Sequence, residues 1–428
     1  MGHTIAGPQT GCHFADDEQH QIESAITEIR SGHRMMNSTV AATATNVSST
    51  PSRLTMASLM LAELCGEYSS LIMPFILVAM MGASHLTEAT AGRLVSLQLL
   101  GMTLASSFVS ITLRPGRSLR LILAFAVTAI VVANIMCAVA HAALIVAAAR
   151  ALTGIGEGAA MSAATAAVCA TSNPHRVYSM IGMASGTMAI VLLAVAPYIA
   201  GHAGAAGLFW MLALLPLPAL PLLGGIPLVA VGPPVRRNGP VTTLLYGAPI
   251  LLAYLAFWMG TSGMWVYAER IGATQGLTPQ QVGLSLSLGQ LAATPAPLFA
   301  AWLGPRIGLP ASVAIGCAGM AVAAACFVFG GHPWTYGLGA FLAPFWLLFA
   351  VPSFRSRMAV LDPSGRTVAI SVVGYTIGFG AAPLVVSAVT TGGRGYALTG
   401  LICIASFAAG GVLGSLPGFR LAKAPLSK

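Results

Sequence analysis

Charge is what this sequence has least of. Charged residues fill 7% of its 428 positions and hydrophobic types 56%, whereas a soluble chain carries about 25% charged residues. A water-facing surface cannot be built from that composition, so the surface must face lipid. Only eleven acids are present, and five of them (Asp16, Asp17, Glu18, Glu23, Glu28) lie in the first 53 residues. Lysine occurs twice, as Lys423 and Lys428. No CxxC and no Cys/His ligand spacing occurs among the seven cysteines, so no metal site is expected. Cys65, Cys137, Cys169, Cys317, Cys326 and Cys403 fall in or beside apolar runs and read as small buried hydrophobes. No GxxxxGK[ST] is present to hold a nucleotide, and no HExxH or GxSxG to hydrolyse anything. His85, His141, His202 and His332 are scattered. The chain is therefore expected to have no cofactor and no catalytic residue, and not to be an enzyme. Its net charge of +9 comes from arginines set singly between apolar runs, so no nucleic-acid partner is expected.

What is present is a long series of apolar runs. Helices are predicted over 54–81, 89–112, 119–140, 143–168, 177–200, 205–231, 243–268, 280–302, 309–330, 335–353, 367–390 and 396–418. Each is long enough to cross a bilayer, and helices satisfy their own backbone within lipid. The fold class is thus an all-α polytopic membrane protein with twelve transmembrane helices. The polar residues 1–53 form a predicted disordered tail, with a short helix around QIESAITEIR and no signal-peptide core. Met35 and Met36 offer an alternative start. Residues 54–231 make one six-helix bundle, 232–242 a linker (GPPVRRNGP and its flanks), 243–420 a second bundle and 421–428 a short tail. Counted with the N-terminus inside, fourteen Arg and Lys lie in the inner connections and three (Arg93, Arg270, Arg394) in the outer ones. That bias places both termini in the cytoplasm of a cell whose inner membrane holds the chain as a multi-pass protein.

A family resemblance rests on local residues. The connection after the second span, VSITLRPGRS, resembles the G-x-x-x-D-R-x-G-R signature of the major facilitator superfamily through Arg114, Gly116 and Arg117, with Val109 and Leu113 in place of Gly and Asp. AWLGPRIG, after the eighth span, repeats it in the second half through Arg306 and Gly308. RALTGIGEG in the fourth span resembles R-x-x-x-G-x-G through Arg150, Gly154 and Gly156. APYIAG in the fifth keeps Pro197 and Gly201 of an antiporter signature. The resemblance covers about residues 54 to 420. It implies two pseudo-symmetric six-helix bundles and alternating access. It also implies gating by Arg114, Gly116, Arg117 and Arg306, and first and fourth spans that line a central cavity.

Charges at membrane depth are costly and so mark function. Four are predicted there: Glu63 and Glu67 on the first span, Arg150 and Glu157 on the fourth. Glu63 and Glu67 share one helical face. Two carboxylates so placed disfavour double ionisation, which suits a proton carrier. Arg150 keeps its proton and is expected to respond by pairing with Glu67, Glu157 or an anionic substrate. A static ion-pair network is the competing reading.

The second half offers no charge at depth. It offers aromatic and amide residues instead: Trp258, Trp265, Gln290, Phe345, Trp346 and Tyr375, the predicted substrate contacts. Trp265 equally suits interfacial anchoring, and Gln290 a bond to a neighbouring helix. The partners expected are a small-molecule substrate, protons and the lipid bilayer, with the chain a monomer. The leading reading is a proton-coupled symporter taking up an organic anion or aromatic compound. Proton-driven drug or metabolite efflux is the alternative, and a transport-dead sensor or membrane enzyme comes last.

Overall fold

A computed structural model describes residues 2, 52–84, 86–112, 119–140, 142–169, 171, 174–226, 242–361, 366–390 and 395–416. Nearly all of the predicted tail, the linker up to 241, the 421–428 tail and the loop residues Arg114, Gly116 and Arg117 lie outside the described residues. The described residues between 53 and 169 and between 174 and 416 form one compact unit.

Its described helices are α1 (Arg53–Cys65), α2 (Tyr68–Leu71), α3 (Met73–Ser84), α4 (Glu88–Thr112), α5 (Leu119–Val139), α6 (Ala143–Cys169), α7 (Pro174–Leu214), α8 (Ala219–Leu222), α9 (Thr242–Val266), α10 (Ala268–Thr274), α11 (Pro279–Gly289), α12 (Ala296–Ile307), α13 (Leu309–Phe329), α14 (Pro333–Leu361), α15 (Arg366–Thr390) and α16 (Gly395–Ser415). Nine described helices are long and apolar enough to cross, and the bent pair α11 and α12, with the turn Gln290–Ala293, adds a tenth. One of the nine, the apolar run Arg176–Gly225, has 50 residues, about two crossings. It is broken at Gly204 (φ 69°, ψ −178°), a backbone region open only to glycine. With the first span in pieces α1–α3, the described helices accommodate the twelve predicted crossings.

Four departures from the predicted spans have local causes. The sixth is interrupted after Leu214, at Pro216 and Pro218, and resumes as the single turn α8, while its predicted end at 231 lies outside the described residues. The eighth bends by 46° next to Pro295. The tenth runs to Leu361, beyond its predicted end at 353, and so carries Arg355 and Arg357 on helix. The first breaks twice, at Gly66–Glu67 and at Ile72. Gly66 is needed there: a Cβ would lie 3.0 Å from Met161 Cβ and 3.1 Å from the Glu157 carbonyl on α6.

Proline also frees carbonyls, because the residue four earlier loses its helical donor. Such groups in lipid need new partners. Four of them meet the neighbouring helix. Pro383 frees Phe379 O, which accepts from Ser262 Oγ at 2.6 Å. Pro74 frees Ser70 O, which accepts from Trp265 Nε1 at 2.9 Å. Pro197 frees Leu193 O, against which Gly283 packs, and Pro344 frees Ala340 O, against which Gly289 packs. The prolines of this chain thus place helix contacts as well as bends.

The first half packs tightest between α4, α5 and α6 and the second between α9, α13, α14, α15 and α16, while α4 with α15 and α7 with α11 join the halves. The α4–α6 seam depends on Gly154 and Gly158, where a Cβ would lie 2.0 Å from Gln98 O and 2.2 Å from Met102 O. Gly154→Ala must push these helices apart. We expect it to destabilise by about 1–3 kcal/mol, read as a lower melting temperature of the detergent-solubilised protein.

Candidate functional site

Glu67 sits in the gap between α1 and α2 and caps the short helix from φ −117°, ψ −21°. Its carboxylate accepts from Ser185 Oγ of α7 at 2.6 Å. Glu63, one turn away, is 6% exposed, has the Thr165 hydroxyl of α6 beside it, and leaves its Oε2 without a partner. Facing them from the second half is an aromatic box. Trp258 meets Tyr375 at 4.5 Å, Phe379 and Phe257 at 5.9 Å and Tyr254 at 6.0 Å between centroids, all near edge-to-face. Glu67 lies within electrostatic reach of the Tyr375 hydroxyl, as does the exposed Arg355 of α14. Among the described residues, Trp258 Nε1 is a buried donor with no acceptor. An apolar cleft of ≈ 490 Å³ between α1 and α7 is lined by Met60, Leu64, Met180, Met183 and Met188 among others.

The other two predicted charges sit on α6, where Glu157 also faces Ser69 of α2. Arg150 and Glu157 are 0% exposed, in the seam between α4, α5 and α6. Arg150 donates to Asn134 Oδ1 at 2.7 Å, to Gln98 Oε1 at 3.3 Å and to Cys137 Sγ at 3.2 Å, and its guanidinium lies 5.2 Å from the Phe209 ring centre. Gln98 Nε2 in turn donates to Glu157 Oε2 at 2.8 Å. The acid and the base are thus bridged by an amide and occupy the helix seam, away from the aromatic box. Sequence reasoning missed Gln98 and Asn134, although lone amides in the runs VSLQLL and VVANIM were a readable signal.

The predicted substrate residues divide. Trp258 and Tyr375 meet in the box. Trp265 spends its N–H on Ser70 O. Phe345 and Trp346 join Phe299 and Phe349 in a separate cluster, with the Trp346 ring pressed on Gly319 of α13. Gln290 lies at the α11–α12 bend. Arg306 lies over Trp302, 4.5 Å from the ring centre, and donates to that residue's carbonyl.

Residues that join the halves lie at or beyond mid-span, on the side away from Arg53 and Ser415 (the far side). Arg270 Nε lies 3.4 Å from Glu88 Oε2, and the Tyr396 hydroxyl donates to Glu88 Oε1. Tyr267 fits over Gly92, where a Cβ would lie 2.2 Å from its hydroxyl. Ser287 donates to Ile190 O at 2.8 Å. Burial holds the nearby Glu269 carboxyl above the usual range; Arg270 opposes this and Glu88 adds to it. The far side is closed by these contacts.

Two helical halves, joined on one side of mid-span and holding an acid against an aromatic box at the centre, define a membrane transporter. The sequence profile of the Major Facilitator Superfamily matches residues 59–383, and the chain belongs to that family. Its fold is similar to that of a D-xylose-proton symporter (TM-score 0.65, 15% identity, 85% of this chain and 97% of that one). It is also similar to the nucleoside transporter NupG in its D323A mutant (TM-score 0.67, 12% identity, 84% and 97%). No curated protein sequence matches the chain.

Proposed function

We propose that the chain is a proton symporter for an aromatic organic acid in the inner membrane, with both termini cytoplasmic and one copy as the working unit. The observation that carries this reading is the Trp258 N–H, a buried donor without an acceptor among the described residues, packed on Tyr375, whose hydroxyl is within electrostatic reach of both Glu67 and Arg355. An aromatic ring stacks in the box, its carboxylate takes the free N–H, and Arg355 supplies the opposite charge. A charged Glu67 repels that substrate and a protonated one admits it, so proton and substrate travel together. Arg150 takes no part in binding, because it is wholly buried in the seam and its three nitrogens are each engaged there. Glu63 shares the proton with Glu67, from which it is one turn removed.

One observation favours exchange of an apolar cation against protons: the methionine-lined cleft beside Glu67, whose soft side chains adapt to many shapes. Proteoliposomes under an imposed pH gradient separate the two. Aromatic acids should accumulate on the alkaline side and aromatic cations show no proton-driven flux; the reverse pattern sinks the symport reading. Trp258→Phe keeps a ring and removes the donor. It should weaken binding of the transported acid about fivefold, the ~1 kcal/mol of one hydrogen bond, measured by calorimetry.

A further inference from the structure

The first span does not cross as one helix. α2 is a single turn set off by a break at each end, Gly66–Glu67 before it and Ile72 after it. At its two ends Leu71 N donates to Glu67 O at 3.0 Å and Ile72 N to Ser69 O at 3.3 Å, and Ser69 faces Glu157 of α6. One end of this turn carries the Glu67 carboxylate, tied to Ser185. The other presents the Ser70 carbonyl. Pro74 denies that carbonyl a helical donor, and Trp265, on α9 of the opposite half, supplies one. A four-residue turn is about 6 Å long, so a tilt that starts at Glu67 reaches Ser70 with little loss.

We propose that α2 is a coupling turn: discharging Glu67 loosens the Ser185 tie, tilts the turn, withdraws the Ser70 carbonyl from Trp265 and so unlocks the far side. This rests on the reading that Glu67 carries the proton. The groups that face Glu67 are Glu63 on α1 and Tyr375 on α15, with Arg355 beyond Tyr375; Glu157 on α6 faces Ser69 within the turn itself. A charged carboxylate holds a hydroxyl donor about twice as strongly as a neutral acceptor does, so the charged state favours the closed far side seen here. Linkage is reciprocal: the state open on the far side then binds the proton more tightly than this one. Such a bias loads the proton outside and releases it inside. The Glu88–Arg270–Tyr396 contacts form a second layer beyond Trp265 and follow it.

The test measures the width of the far side. Ala142 and His332 are exposed there, one in each half. Spin labels at Ala142→Cys and His332→Cys, with other accessible cysteines replaced and the protein in lipid nanodiscs, report their separation. In the otherwise native protein, acid should populate a longer distance. Trp265→Phe keeps the ring but removes the N–H, and should populate that distance already at alkaline pH. Glu67→Gln should do so at every pH, with Trp265 untouched, so a misfolded Trp265 variant does not leave the question open. Native distances in both variants at all pH values overturn the coupling turn. If Glu67→Gln abolishes proton-driven transport but leaves the distances native, the proton assignment stands and the coupling turn falls. If Glu67→Gln still transports with native pH dependence, the proton assignment itself falls.

Discussion

Glu67→Gln should bring proton-driven uptake in proteoliposomes down to the level of protein-free vesicles. Exchange of substrate across a membrane with no pH gradient should continue. The amide keeps the shape of the acid and still accepts from Ser185, but it cannot gain or lose a proton. What disappears is therefore the dependence on the gradient, while the aromatic box on α9 and α15 is untouched. Uptake in this variant that still follows the pH gradient would remove Glu67 from the cycle. The same change at Glu63 should have a smaller effect, because Thr165 is beside that group and Ser185 is not.

Arg150→Met should fail in a different way, by loss of the folded protein. The side chain is wholly buried and engages Asn134, Gln98 and Cys137. Removing it strips a donor from Asn134 Oδ1 and from Gln98 Oε1, the amide whose other end holds the Glu157 carboxyl. Leaving buried polar groups without their donor in this way costs about 1–3 kcal/mol for each, together a large part of the usual margin of stability. We expect little monodisperse protein after extraction and a sharply lower melting temperature. The double variant Arg150→Met, Glu157→Gln should recover part of the loss, since no acid then sits in the seam without its basic neighbour. An Arg150→Met protein that folds normally but transports without pH dependence would return Arg150 to the coupling role that its depth in the sequence suggests.

The contrast between these two residues marks where the sequence was readable. Composition announced the membrane, and hydrophobic runs with arginine bias announced the spans. Depth singled out Glu63, Glu67, Arg150 and Glu157. Depth alone could not tell which charges face the cavity and which face a neighbouring helix, because that depends on rotation about each helix axis. In the fourth span the small residues Gly154 and Gly158 settle it, by drawing α6 against α4 with Arg150 and Glu157 in the seam. Arg355 was readable only as one of the arginines of an inner connection, because its span was predicted to end at 353, whereas the helix continues to Leu361. The broken first span was hinted at by Gly66 and Pro74. Neither residue specifies a break alone, since glycine and proline are both tolerated within membrane helices.

The Ser70–Trp265 contact is lopsided in what it exposes to mutation. Its acceptor is a main-chain oxygen, so no replacement of the Ser70 side chain removes it, and a substitution scan would score that position as nearly silent. The residue that creates the vacancy is Pro74, four places on, which touches neither partner's hydrogen bond. Restoring an N–H there, as alanine would, lets the helix reclaim its own carbonyl and leaves the indole of Trp265 with nothing to hold. In a family tree of such chains, the pair to look for would be a proline and a tryptophan lost together, with the serine that precedes them both free to drift.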